Sequence, residues 1–151
     1  MQGGCPCGSV LNSPTHYVRA LITRVDRCRR RHLTAQEILR IAERVIEQPQ
    51  CRDLGLIEAA AARPGTTVGS QRAYSDVVEM AAALSESLVG NHALVDGNKR
   101  LGLACLIMFL RMNRRSLVMT NGDAYEFIYA IASGRLRGVD QISAVLRPQV
   151  I

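Results

Sequence analysis

A nearly uninterrupted apolar segment, LGLACLIMFL at residues 101–110, limits the folds open to this chain. It has about half the length of a transmembrane helix, so we expect a buried helix and no membrane association. A helix that is apolar on almost every side has to be surrounded by other elements. The residues expected to be buried, at helical spacing before an end at Asn113, are Leu101, Ala104, Cys105, Met108 and Met112.

The elements needed to surround this helix are also predicted to be helices. Hydrophobic residues make up 48% of the chain, with no Trp and two Phe, and such an aliphatic composition favours helices packed on helices. Capping residues and stop signals predict five further helices, and therefore a compact all-α bundle of about six. The five begin after Thr34 (with Glu37 as its capping-box partner), Asp53, Ser75 and Thr120 and near Val139, and they stop near Pro49, Pro64, Gly90, Gly134 and Pro148.

Two connectors differ in composition from the helices. The segment RPGTTVGSQR, from Arg63 to Arg72, is polar and contains glycine, so it is predicted to be a loop before the third helix. The segment from Arg114 to Met119 is predicted to be a short extended connector.

The positive charge is concentrated at the N-terminal end of the chain. Residues 1–31 contain six Arg and one Asp, a net charge of +5, whereas residues 32–151 contain 13 basic and 12 acidic residues, a net charge of +1. We predict an Arg-rich extension at residues 1–31 and a folded domain at residues 32–151. An arginine run is usually a solvated tail, so we expect a mobile extension, and the alternative is an arm that binds a nucleic acid or a partner. We expect no nucleic-acid binding outside the extension, whose apolar residues fit a short helix. These apolar residues are Val18, Leu21, Ile22 and Val25.

The cysteines indicate a reducing compartment. There are five of them, at positions 5, 7, 28, 51 and 105, an odd number without the spacing of a zinc site. We therefore expect free thiols and a cytoplasmic protein.

The segment NHALVDGNKR, residues 91–100, precedes the apolar helix and concentrates chemical groups. The first N–H groups of a helix lack intrahelical acceptors and lie at the positive end of its dipole, where anions bind. Gly97 would let the backbone approach a phosphate, Asn98 would donate from its amide, and Lys99 and Arg100 would add charge. We predict that these four residues bind the phosphates of a nucleoside triphosphate.

Two residues just upstream complete a reactive set. Asp96 would repel a phosphate unless a divalent cation lay between them, so it is predicted to be a Mg²⁺ ligand. His92, in the turn after the third helix, is predicted to accept the proton of a hydroxyl nucleophile. The set describes transfer of a phosphorus-containing group to a hydroxyl. The alternative is an ordinary turn, since Asp-Gly-Asn is common in turns and a lone His in a loop is usually a surface residue.

The segment from His92 to Arg100 resembles the signature of the Fic/Doc family, and specifically the pattern HxFx(D/N)(A/G)NKR of its Doc branch. The helix that follows, and the start of the domain at residues 33–39, are also similar to Doc, and the resemblance covers about residues 32–147. Leu94 stands in place of the usual Phe and Leu101 in place of a frequent Thr, and we expect both to pack inward.

The resemblance implies a Fic fold, with residues 63–72 as a flap that aligns a target segment. It implies a toxin of a toxin–antitoxin module that phosphorylates a threonine of elongation factor Tu with ATP and Mg²⁺ and so arrests translation. A cognate antitoxin would be its partner. Within this resemblance His92 is the catalytic base, Asp96 holds Mg²⁺, and the four residues from Gly97 to Arg100 bind the nucleotide phosphates, with Lys99 and Arg100 also counted as catalytic.

The residue at position 99 separates two activities of the family. AMP-transferring Fic enzymes have GNGR at the place of Gly97–Arg100, whereas this chain has its single lysine, Lys99, in place of the second glycine. In the Doc branch this lysine accompanies a nucleotide that presents its γ-phosphate, so a kinase is favoured over the alternative, an AMP transferase. A third possibility, from another class, is a non-catalytic family member that binds an antitoxin or a nucleic acid through the Arg-rich extension.

Overall fold

The computed structural model describes residues 30–151. The helix predicted within residues 18–25 lies outside the described residues, and the division at residue 31 stays a prediction. The prediction of an all-α bundle of about six helices is confirmed for the described part of the chain. The helices are α1 (Ala35–Val45), α2 (Leu54–Ala62), α3 (Val77–Gly90), α4 (Asn98–Met112), α5 (Asn121–Ala132) and α6 (Val139–Leu146).

The predicted capping residues account for three of the six helix starts. Thr34 forms the expected capping box with Glu37 before α1, and Asp53 and Thr120 accept backbone hydrogen bonds at the starts of α2 and α5. The prediction for α3 is wrong by one residue, because Asp76 is the cap and accepts from the N–H groups of two residues of the first turn. A carboxylate there accepts both bonds and interacts favourably with the helix dipole.

The core forms where α4 packs closely against α3. Gly102 makes the approach possible, because a Cβ at this position would collide with the Val89 side chain. Burial of α4 differs from the prediction: Met108 is 42% exposed, and Ala104 and Met112 are half-buried. The neighbouring helices cover one broad side of α4 and leave Met108 facing solvent. The buried residues of α4 are Asn98, Leu101, Gly102, Cys105, Leu106, Phe109 and Leu110.

The connectors have more structure than the sequence predicted. The segment 63–72 is not a plain loop: a 3₁₀ turn (Arg63–Gly65) leads into an antiparallel hairpin, β1 (Thr67–Val68) and β2 (Gln71–Arg72). A two-residue link with Gly69 at φ 63° turns the chain between the strands. The connector after α4 was predicted to be extended from Arg114, but Arg114 lies in a turn with a φ of 59°. Beyond it, Ser116 and Val118 form backbone hydrogen bonds with residues 149–151, as an extended segment does. None of the helices within residues 30–151 is long and apolar enough to cross a membrane.

Candidate active site

The loop between α3 and α4 is held by backbone hydrogen bonds to the segment between α1 and α2. Val95 N–H donates to the Gln50 carbonyl at 3.0 Å, and Arg52 N–H donates to the Ala93 carbonyl at 2.9 Å. Leu94 is 1% exposed, as expected for the residue in place of the usual aromatic. Because the centre of the loop is anchored inside, His92 at one end of it is exposed.

His92 has an uncommon backbone conformation. Its φ of 50° lies in the left-handed region, which few residues other than glycine adopt. Such conformations cost of order 1–3 kcal/mol and persist where the surrounding structure imposes them. Here the end of α3 on one side and the buried loop on the other impose it, and this fixes the direction in which the Cα–Cβ bond of His92 leaves the loop.

Asn98, the first residue of α4, joins that helix to the loop before it. Its Oδ1 accepts from Leu94 N–H at 2.9 Å, and its Nδ2 donates to the Leu94 carbonyl at 2.9 Å. The side chain is buried, so these two bonds satisfy groups that water cannot reach. The sequence predicted that this amide donates to a phosphate, whereas the structure gives it a structural partner and leaves the backbone N–H of Asn98 for a ligand.

Gly97 is the turn into α4, and two observations explain why glycine stands there. Its φ is 87°, in the left-handed region, and a Cβ on it would collide with the side chain of Ile46. Gly97 N–H donates to Asp96 Oδ1 at 2.7 Å. The turn therefore orients the Asp96 carboxylate next to the start of the helix.

The start of α4 presents unpaired backbone donors. The first backbone bond of the helix runs from Leu101 N–H to the Gly97 carbonyl at 2.9 Å. The N–H groups of Asn98, Lys99 and Arg100 therefore precede the intrahelical ladder, and they have no acceptor within residues 30–151. Together with the helix dipole they make this end of α4 favourable for an anion.

All six residues predicted to form the site line one cleft of about 540 Å³. The loop contributes His92 and Asp96 and the start of α4 contributes the phosphate-binding residues predicted from the sequence. The far wall comes from the last turns of α5. The residues lining the cleft are Val89, His92, Val95, Asp96, Gly97, Asn98, Lys99, Arg100, Tyr129, Ala132 and Ser133.

Charges of both signs meet in this cleft. Arg100 Nη2 lies 3.6 Å from Asp96 Oδ2, and both side chains are well exposed. An exposed pair at this distance contributes little to stability, so either group can exchange its partner for a ligand at low cost. Among the described residues no group of three or more His, Cys, Asp or Glu side chains could hold a metal ion. A cation at Asp96 would therefore take its other ligands from bound phosphate oxygens and water.

Sequence reasoning missed the wall formed by α5. Tyr129 and Ser133 line the cleft, and Lys99 Nζ lies 5.5 Å from the centroid of the Tyr129 ring. A signal was present in the sequence, because Tyr125 and Tyr129 are one helical turn apart in a chain with few aromatic residues. Both are strongly exposed, which is unusual for aromatic side chains that serve only to pack.

The hairpin β1–β2 is anchored beside α3, the helix that leads into the motif loop. Arg63 donates to Ser87 Oγ at 2.8 Å and to Glu86 Oε2 at 2.5 Å, and its Nε donates to the Tyr74 hydroxyl at 3.3 Å. These bonds fix the base of the hairpin on α3, while all four residues of the two strands are exposed. The strands therefore have edges available to a further extended segment.

Two comparisons with known proteins point to the same family. A family model described as the Fic/DOC family matches residues 32–110, and this range contains the whole motif. Toxin Doc from Mycolicibacterium smegmatis (strain ATCC 700084 / mc(2)155) is 53% identical over 62 residues. That alignment covers 41% of this chain and 48% of Toxin Doc, so the chain spans about half the length of this relative.

Proposed function

Because the chain belongs to the Fic/DOC family, we propose that it is the toxin of a toxin–antitoxin module and acts as a protein kinase. It transfers the γ-phosphate of ATP to a Thr or Ser hydroxyl of a translation factor, for which elongation factor Tu is our first candidate, and so arrests translation. One observation carries the proposal: the six motif residues with the matching chemistry line a single cleft at the start of α4.

The cleft suits a triphosphate in its size and its donors. Its volume of about 540 Å³ is within the range of pockets that hold small ligands. The free N–H groups at the start of α4 and the side chains of Lys99 and Arg100 favour a polyanion. Asn98 takes part through its backbone, since its side chain holds the loop in place.

Asp96 fits the role of Mg²⁺ ligand. Its side chain is 90% exposed, and Gly97 N–H occupies one of its oxygens while the other is 3.6 Å from Arg100. A carboxylate held in this way keeps lone pairs for a metal ion. Mg²⁺ bound there would neutralise charge on the phosphates as it builds up.

His92 fits the role of general base. It lies exposed at the rim of the cleft, where the hydroxyl of another protein can reach it. The hydroxyl proton passes to an imidazole nitrogen as the hydroxyl oxygen bonds to the γ-phosphorus. The bond from that phosphorus to the β,γ-bridging oxygen breaks, and ADP leaves. Lys99 and Arg100 stabilise the negative charge on the oxygens during this step.

Labelled ATP separates the kinase from an AMP transferase. The protein is incubated with purified elongation factor Tu and ATP that carries the label on either the γ- or the α-phosphate. We expect transfer of the γ-label alone, and no transfer by His92→Ala. Transfer of the α-label would replace the proposal with AMP transfer. If His92→Ala still arrested growth, the assignment of the base would be wrong.

The hairpin β1–β2 is proposed to align the target. Its exposed strands can pair through their backbones with an extended segment of the target, and Arg63 keeps them near the motif. Replacing residues 67–72 by a Gly/Ser linker, with Arg63 retained, should abolish modification of the target and leave ATP binding unchanged. Unaltered labelling of the target by this variant would rule out the role.

The partner in the cell is proposed to be a cognate antitoxin, and the place of action the cytoplasm, where translation factors are found. Co-expression tests the first point. The toxin gene alone should stop growth, and the gene encoded beside it should restore growth through a protein that co-purifies with the toxin.

A further inference from the structure

Two cations lie close to the Tyr129 ring at the wall of the cleft. Lys99 Nζ is 5.5 Å and Arg135 Cζ is 5.6 Å from its centroid, both within the distance at which a cation is attracted to an aromatic face. Tyr125 stacks on the same ring, with centroids 6.1 Å apart and an angle of 15° between the planes. The ring is 43% exposed, so it does not have to be there to fill the core.

The position of the Lys99 ammonium depends on side-chain contacts more than that of most functional groups of the motif. A lysine side chain has a flexible four-carbon stem and about 2 kcal/mol of rotamer entropy, so its ammonium group is not fixed by the backbone. Asp96 pairs with Arg100, and no carboxylate within residues 30–151 forms an ion pair with Lys99. Within residues 30–151, the contact that the structure shows for the ammonium is the one with the Tyr129 ring.

We infer that Tyr129 is a positioning residue: its ring holds the Lys99 ammonium on the α5 wall of the cleft that the start of α4 also lines. An anion bound at the helix start then meets a cation already in place, and less side-chain entropy is lost on binding. Arg135 lies over the same ring, but its guanidinium pairs with the Glu126 carboxylate at 3.6 Å, so Lys99 is the cation at this ring that forms no ion pair within residues 30–151. The contact with Lys99 stands on the structure alone, whereas its consequence for ATP rests on the proposed function.

The single lysine makes the contact directly measurable. Reductive methylation with ¹³C-formaldehyde labels Lys99 and the α-amino group and keeps the positive charge of the lysine. Without any ligand, the methyl signals of Lys99 should be shifted upfield by the Tyr129 ring. The shift should persist in Tyr129→Phe, which keeps the ring, and disappear in Tyr129→Leu. Tyr125→Leu is the matched control on the same helix and should retain the shift.

The same signal reports the consequence for the nucleotide. Titration with ATP and Mg²⁺ should give about two- to fivefold weaker binding for Tyr129→Leu than for the parent protein and Tyr129→Phe. An unshifted Lys99 signal in the parent protein, or equal shifts in Tyr129→Leu and Tyr129→Phe, would overturn the inference. If ATP bound equally well to all variants, the positioning role would be wrong while the proposed function stood. If the parent protein bound no ATP, the proposed function would fail, and the positioning role for ATP with it.

Discussion

At the scale of single residues, Gly97 fixes both the direction of the chain into α4 and the place of Asp96. Gly97→Ala would force a side chain into the left-handed region and against Ile46. We expect the free energy of unfolding to fall by roughly 1–3 kcal/mol, and the activity to fall with it. Urea denaturation measures the first effect.

A second glycine provides the control for this prediction. A Cβ at Gly90, the exposed last residue of α3, would meet nothing within 4 Å. Gly90→Ala should therefore leave the stability unchanged or increase it slightly. Equal losses in the two variants would show that the backbone conformation and Ile46 do not explain the choice of glycine at position 97.

The sequence predicted which side chains lie together in the cleft better than it predicted the hydrogen-bond partners of each. His, Asp, Lys and Arg carry reactive or charged groups whatever their neighbours are, and the cleft contains all four as expected. Asn98 is different, because an amide can satisfy a buried backbone as readily as it can bind a ligand. Which of the two it does depends on whether a backbone approaches it, and the approach of Leu94 is a property of the folded loop.

At the scale of elements, the join between the motif loop and α4 depends on Asn98. Asn98→Ala removes two hydrogen bonds and leaves buried backbone groups of Leu94 without partners. We expect a loss of roughly 1–3 kcal/mol in the free energy of unfolding, and faster hydrogen exchange at the Leu94 amide.

Asn121 is the matched control for Asn98, because it is also the first residue of its helix, α5. Its side chain is exposed and forms no hydrogen bond with any other residue of the described part of the chain. Asn121→Ala should therefore change the stability by much less. If both variants lost the same stability, helix propensity rather than the contact with Leu94 would be the cause.

The sequence predicted helices more accurately than short connecting elements. A helix can be predicted from its own segment of sequence, by a capping residue such as Thr34 and by apolar residues at a period of 3.6. Both features can be recognised without knowing which elements pack against the helix. The hairpin at residues 67–72 has two residues in each strand, too few for an alternating pattern to be visible. Its position depends instead on the Arg63 bonds to α3, which connect residues more than 20 positions apart.

At the scale of the whole molecule, the helical class followed from the composition and the number of helices from the caps and stop signals, whereas the sequence did not predict which side of each helix is covered. Met108 was expected to be buried because α4 is apolar on almost every side, yet its position faces solvent. An apolar helix needs neighbours, but its sequence does not say how many sides they cover. The close packing of α3 and α4 depends on Gly102, because a side chain there would collide with Val89. This contact is known only from the folded structure.

The burial of α4 can be measured through its cysteine. Burial raises the pKa of the Cys105 thiol to about 12, so almost no thiolate is present at pH 8. Iodoacetamide should alkylate the exposed Cys51 in the native protein and reach Cys105 only in denaturant. Mass spectrometry of peptides locates the label. Labelling of Cys105 at the rate of Cys51 under native conditions would contradict a closed core around α4.

The free energy of unfolding should fall in acid when Asp76 is protonated, because this residue joins the start of α3 to the end of α6. It accepts from Val78 and Glu79 N–H groups and from Arg147 at 2.6 Å. Partial burial would raise the pKa of its carboxyl, but the hydrogen bonds from Glu79, Arg147 and Val78 outweigh burial and lower the pKa. The folded state therefore releases this proton more readily than the unfolded state, and the bonds stabilise the fold fully above the ordinary aspartate pKa of about 3.9.

This stabilisation should be lost as the pH falls below that ordinary value and through the lower pKa of the folded state. Urea unfolding at a series of pH values should show it in the parent protein. Asp76→Asn should flatten the curve in that window, leaving the acid dependence that the lowered pKa of Glu37 produces. Arg147→Gln should flatten it partly, since it removes one of the three donors to Asp76. If Asp76→Asn left the dependence of unfolding free energy on pH unchanged, the contacts of Asp76 between α3 and α6 would not determine the stability of the bundle in acid.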